Sequence, residues 1–118
     1  MKTKIVKRPW GEFEQFTENE LCTVKIHFIK PKQELSLQSH KKRDELWKII
    51  EGNAVVTIGK REHNAKEGDS FLIKRGRKHK LIAKNKKIKL LEICFGTFDE
   101  NDEIRYEDKY GRSSPKKK

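Results

Sequence analysis

Apolar residues recur at every second position in short runs along this chain, and that spacing limits its fold more than any other feature. Side chains on an extended strand alternate between its two faces. Val24, Ile26 and Phe28 in CTVKIHFIK therefore predict one buried side of a strand, as do Ala54, Val56 and Ile58 in NAVVTIG. LSLQSH, ELWKII, SFLIK, HKLIAK and IKLLEICFG read as further strands. Turn signals at Pro31, Glu51-Gly52-Asn53, Gly59, Glu67-Gly68-Asp69, Gly76 and Asn85 separate them. No stretch before residue 98 sustains helical periodicity over several turns. Many short strands at close intervals predict an all-β sandwich or barrel.

The chain has 118 residues, enough for one hydrophobic core and too few for two. With 33% of residues hydrophobic and 40% charged, that core must be small and the strands half-solvated. The formal net charge of +11 favours anionic partners. Apart from Lys116 to Lys118 the basic residues are interleaved with acids, and neither a recognition helix nor zinc-finger spacing accompanies them. Nucleic acid is therefore not expected as a partner. A membrane is not expected either, because no segment approaches the length of a membrane span. The start, MKTKIVKRPWGEF, has no apolar run of the signal-peptide kind, so a cytoplasmic protein is expected. Cys22 and Cys94 are far apart, without CxxC spacing, and read as two reduced, partly buried thiols.

Strand parity gathers one set of chemistry-bearing residues. Gln38 and His40, two apart on LSLQSH, point to one face, with Leu35 and Leu37 on the other. Glu45, Trp47 and Ile49 share a face in the next run, and His79 follows the turn KRGRK. Imidazole, carboxylate and amide oxygen converging from different strands make a mixed N/O set for a divalent metal: zinc first, with manganese, cobalt, nickel or iron also suited. The plainer alternative is a group of hydrogen-bonded barrel residues. His27 has parity opposite to Val24, Ile26 and Phe28, and His63 lies in the polar stretch GKREHNAKEG, so both are expected to face solvent.

The same residues match a family pattern. Gln38-x-His40-x4-Glu45-x6-Gly52 resembles the first cupin motif, with Gln in place of a common His, and Gly68-x5-Lys74-x-Gly76-x2-His79-x3-Ala83 resembles the second. The flanking KRPWGEFEQF, LSLQSHKKRDELW and DEIRYEDKYGR are similar to type II phosphomannose isomerase, a likeness running from Lys7 to Arg112. In that family the cupin usually follows a domain that makes GDP-mannose, although stand-alone forms occur.

The resemblance implies a single-domain cupin, a jelly-roll barrel or double-stranded β-helix. It would span 1-112 with its flanking segments, and SSPKKK at 113-118 would be a flexible basic tail. It implies a metal-dependent sugar-phosphate isomerase that interconverts mannose 6-phosphate and fructose 6-phosphate through an enediol or enediolate. Gln38, His40, Glu45 and His79 would hold the metal. Arg43 and Arg112 would act catalytically on oxyanion or phosphate, and Lys7, Trp47 and Arg105 would contact substrate. Trp10 would anchor its segment against the barrel. A homodimer is expected by analogy with other cupins. The chain departs from the pattern at Lys41, Lys42, Lys74, Ala83 and Leu46. Leu46 stands where the family has a histidine, so a loss of imidazole near the site makes a binding module for a phosphorylated sugar or other anion, without turnover, the alternative function.

Overall fold

The computed structural model describes residues 3–99 and 101–107, and its regular structure is strand throughout. Eleven strands follow one another: β1 (Lys4–Arg8), β2 (Gly11–Gln15), β3 (Cys22–Ile29), β4 (Glu34–Ser39), β5 (Asp44–Glu51), β6 (Ala54–Ile58), β7 (Arg61–Ala65), β8 (Ser70–Ile73), β9 (His79–Ala83), β10 (Ile88–Phe95) and β11 (Ile104–Glu107). No helix long and apolar enough to cross a membrane occurs among the described residues. Strands β1 and β2 form a hairpin; the others make a four-stranded sheet in the order β3-β10-β5-β8 and a five-stranded sheet in the order β11-β4-β9-β6-β7. All pairings are antiparallel.

The core lies between the two sheets. Ile29, Trp47, Ile49, Ile73 and Leu90 from one meet Ala54, Val56, Ala65, Leu81 and Ala83 from the other. Burying a side chain of the Val, Leu or Ile class contributes roughly 1.5–3 kcal/mol, so a set this small still drives collapse of a charge-rich chain. The β5–β6 turn closes tightly because Gly52 takes φ 94°, and a Cβ there would come within 2.4 Å of the Lys87 carbonyl oxygen.

A second, smaller cluster lies on the outer face of the four-stranded sheet, where Leu46, Ile93 and Phe95 are covered by Phe16, Cys22 and Leu91. Leu46 therefore points away from the barrel interior, opposite in parity to Glu45 and Trp47. The expectation that its replacement of a histidine alters the site is corrected by this placement. The missing imidazole would have stood outside, in an apolar cluster.

Strand β3 is inverted relative to its alternation. Val24, Ile26 and Phe28 are 56%, 49% and 75% exposed, while His27 is half-buried and faces Glu92. The inner parity carries Thr23, Lys25 and His27 because this part of the barrel interior is polar. His63 is corrected too: its stretch is β7, in register with Val56 on the edge of the five-stranded sheet, and its ring packs 5.3 Å from that of Phe71. In β4 the simple parity fails at a bulge, where Leu35 to Gln38 oppose only Leu81 to His79. The extra residue turns Leu35 to the core side, so Leu35 and Gln38 end on the same face.

The N-terminal segment is a hairpin that the sequence pattern did not mark. It joins the body on the outer side, through a Glu14–Lys48 ion pair and Phe16. Trp10, at its tip, is 72% exposed and stacks on Phe13 rather than on the barrel, which corrects the anchoring role expected of it.

Candidate metal centre

His40 lies just past the end of β4, Glu45 is the second residue of β5 and His79 opens β9. The β8–β9 turn is tied to the first of these by a hydrogen bond from the Gly76 amide to the His40 carbonyl, 2.6 Å. All three side chains are buried, and their donor atoms lie within 4.8 Å of one another. His40 Nε2 is 3.4 Å from Glu45 Oε2, and His79 Nε2 is 3.7 Å from Glu45 Oε1. Register sets Gln38 directly beside His79. Its Nε2 donates to the Ser36 carbonyl at 3.2 Å, which leaves the amide oxygen as the atom available to a cation.

The residues fit a divalent metal. His79 Nδ1 is 2.9 Å from the Arg77 carbonyl, so that nitrogen carries the proton and donates, and Nε2 presents a lone pair. That Nε2 is buried without a hydrogen-bond partner among the described residues. Burial, then the charge of Arg43 and the neighbouring His79, lowers His40 to about 4. Burial likewise lowers His79, so both imidazoles are neutral and able to ligate at neutral pH. Glu45 is raised, first by burial and then by Glu92, so a lone proton is held there where a cation would serve instead.

Behind the three candidate ligands stands a network converging on Glu45. Arg43 Nε donates to Glu45 Oε2 at 2.8 Å, and Arg43 lies 3.2 Å from His40 Nε2. The Trp47 indole N–H is shared between Glu45 Oε1 and Glu92 Oε1, each at 3.2 Å, and its ring meets His79 edge-on at 5.3 Å. The Cys94 thiol contacts both Glu45 and Glu92 at 3.6 Å, and burial raises its pKa. His27 Nε2 stands 3.3 Å from Glu92 Oε2. Burial alone would raise Glu92, but His27 and the Trp47 N–H outweigh it, so this carboxylate is held below its usual range and ionised.

Arg43, expected to act on oxyanion or phosphate, is buried, its guanidinium committed to Glu45 and set over the Phe98 ring at 4.7 Å. Trp47, expected to contact substrate, is 1% exposed and forms a buried wall edge-on to His79. Arg105 is opposite Gln38 on β11 and pairs with Glu103 at 2.5 Å. Lys7 is exposed on the hairpin, which meets the body on the outer face, and no contact among the described residues links it to the cluster. Arg112 and the 113–118 tail lie outside the described residues. Lys25, His27, Glu92, Cys94 and Phe98 were missed. The signal for the first two was an inner-parity run of polar residues on a strand whose apolar parity is not buried.

Asp102 ties the segment before β11 to the ligand loop. Its carboxylate accepts the amides of Lys41 and Lys42 at 2.9 and 2.8 Å, immediately after His40. Burial opposes ionisation there, but the two amides outweigh it and the pKa is lowered. A depressed carboxylate stabilises above its unfolded pKa and loses that contribution as pH falls through the folded value. Asp102→Ala should accordingly speed amide exchange at Lys41 and Lys42 roughly tenfold at neutral pH, as loss of a charge-assisted hydrogen bond implies. The difference should shrink in acid; equal exchange in both chains at pH 7 would remove the tether.

Residues 1–108 match the family described as mannose-6-phosphate isomerase C-terminal. Mannose-1-phosphate guanylyltransferase ManC of Salmonella typhimurium is 37% identical over 109 residues, covering 91% of this chain and 23% of the relative. Xanthan biosynthesis protein XanB of Xanthomonas campestris pv. campestris is 36% identical over 110 residues, covering 92% of this chain and 24% of the relative. The chain thus spans about a quarter of the length of these relatives. Oxalate decarboxylase from Bacillus subtilis superposes with a TM-score of 0.68 at 26% identity, covering 74% of this chain and 24% of that one. A cupin protein from Bacteroides fragilis, at 23% identity and a TM-score of 0.59 over 66% of this chain and 70% of that one, shares the fold. With its two antiparallel sheets closing on a His–Glu–His cluster, this chain is a cupin and belongs to the mannose-6-phosphate isomerase C-terminal family.

Proposed function

We propose that the chain is a metal-dependent isomerase interconverting mannose 6-phosphate and fructose 6-phosphate. The observation that carries the reading is the buried His40–Glu45–His79 cluster with the unpartnered Nε2 of His79 turned into it, in a chain of this family. Gln38, His40, Glu45 and His79 would hold the ion, zinc first among the candidates. When bound, it supplies a Lewis acid for sugar oxygens on which negative charge develops as a carbon-bound proton leaves.

The chain's own residues do the rest. Arg43 orients Glu45 by a 2.8 Å hydrogen bond and opposes the rise in pKa that burial and Glu92 impose on it. The Trp47 N–H fixes Glu45 relative to Glu92. Moving a proton between adjacent carbons needs an ionisable group beside them, and Glu92 with His27 is a carboxylate–imidazole pair on the wall next to the ligands. Buried walls at Trp47 and Leu81 keep water from the back of the pocket. The case for a non-catalytic binding module rested on Leu46, which lies on the outer face, so it gains nothing from the site.

The test is direct. Purified chain reconstituted with zinc, manganese or cobalt should convert mannose 6-phosphate to fructose 6-phosphate in a coupled assay, and chelation should abolish it. Absence of turnover with every metal, in a folded chain shown to contain metal, would sink the reading.

A further inference from the structure

Lys25 is a charged side chain on the inside of the barrel wall. Its position on β3 faces Glu92 on β10, which in turn faces Trp47 on β5, so the three make one cross-strand row on the inner face. Lys25 is half-buried, and its ammonium lies 4.3 Å from the centroid of the Phe98 ring. Arg43 sits over the same ring, 4.7 Å from its centroid. One aromatic side chain thus holds two cations at the pocket.

The two cations differ in how their charge is answered. Arg43 is hydrogen-bonded to Glu45 at 2.8 Å. Glu92, the carboxylate nearest Lys25 in the sheet, is engaged by His27 at 3.3 Å and by the Trp47 N–H at 3.2 Å, and Lys25 acts on it only at longer range. Among the described residues the ammonium has the Phe98 ring as its close contact, in a half-buried place where an unanswered charge is costly. Such a group favours an anion that completes it.

We infer that Lys25, set against Phe98 with Arg43 behind, is the seat for the phosphate of the phosphorylated sugar. The inference rests on the sugar-phosphate reading above and supplies its anion site. Geometry supports it: Lys25 lies two strand spacings from the β5 row that carries Glu45 and Trp47, about 10 Å at the usual separation of paired strands. A hexose 6-phosphate likewise places its charge at the far end of the carbon chain from the oxygens on C1 and C2 that a metal would take.

Inorganic phosphate is the probe, titrated by calorimetry into the full chain after chelation, so that phosphate bound to a metal makes no contribution. Loss of one charge-assisted contact should weaken it about tenfold or more in Lys25→Gln. Lys25→Arg should recover most of the affinity, which a fold defect at this position would not allow. Lys86→Gln, in the exposed β9–β10 turn, should bind as the unaltered chain does. In the metal-loaded chain Lys25→Gln should raise KM for mannose 6-phosphate by about tenfold or more with kcat changed little, the pattern of lost uniform binding. Absence of phosphate binding in the unaltered chain, or equal binding by Lys25→Gln, overturns the seat. If phosphate binding follows Lys25 while no isomerisation is found, the seat stands and the isomerase reading falls. If isomerisation is found with the same KM in Lys25→Gln, only the seat falls.

Discussion

His79→Ala should lose metal and isomerase activity together. The substitution deletes an imidazole of the cluster whose Nε2 is buried without a hydrogen-bond partner among the described residues and whose Nδ1 is already fixed by the Arg77 carbonyl. Residues that merely orient a metal ligand are worth 10–100-fold in affinity, so a ligand itself should cost about 100-fold or more. Metal content after dialysis, calorimetric titration with zinc and the coupled assay read the two effects separately. Full activity in a variant that retains no metal would refute the metal's role. Full metal retention would remove His79 from the ligand set. The fold should survive, because the β9 pairing that positions residue 79 is made by backbone.

Trp47→Ala should be the most damaging change to stability among the pocket residues. The side chain is 1% exposed, belongs to the main core cluster and packs edge-on against His79. Truncating a buried aromatic to alanine costs about 3–5 kcal/mol, a large share of the stability of a domain this small. Here the cavity would also strip an N–H from two buried carboxylates. Trp47→Phe separates the contributions. It retains most of the volume and removes the donor, so about 1–3 kcal/mol should remain as the hydrogen-bonding share. Urea unfolding of the three chains measures both; a loss below about 1 kcal/mol in Trp47→Ala would show that the pocket wall is not part of the core.

The candidate ligands were legible because their information is local. Two residues of spacing put Gln38 and His40 on one strand face, and the turn before His79 is marked by Gly76. The all-β architecture was legible for the same reason, from short alternating runs. What could not be read depended on where each face ended up. Alternation in β3 shows two unlike faces and does not say which is inside. Composition points to burial of Val24, Ile26 and Phe28, because apolar groups usually take it. A barrel whose interior holds a polar site reverses that preference, which hid Lys25 and His27. The β4 bulge defeated parity at Leu35, since one added residue exchanges the faces. Strand β7 was hidden by its polar composition, REHNA, which suits an edge strand that must discourage further pairing. Nothing local marks Glu92, or Cys94 beyond a partly buried thiol, because what makes them notable is the company of Glu45 and His27, distant in sequence.

The convergence on Glu45 has an evolutionary reading. Its two oxygens are approached by His40, Arg43, Trp47, His79 and Cys94, contributed by strands of both sheets and by the β4–β5 connection. Groups that share a partner do not vary independently, and their effects on stability fail to add. Drift at any one of these positions thus changes what is permissible at the others, and a lineage altering one would pass through intermediates with a buried carboxylate left unanswered. Leu46 and Lys48, next to the hub in sequence but on the opposite face, answer to other partners, the outer apolar cluster and Glu14. Substitution histories along β5 should therefore alternate with the pleat, residue by residue, between coupling to the Glu45 hub and coupling to the outer face.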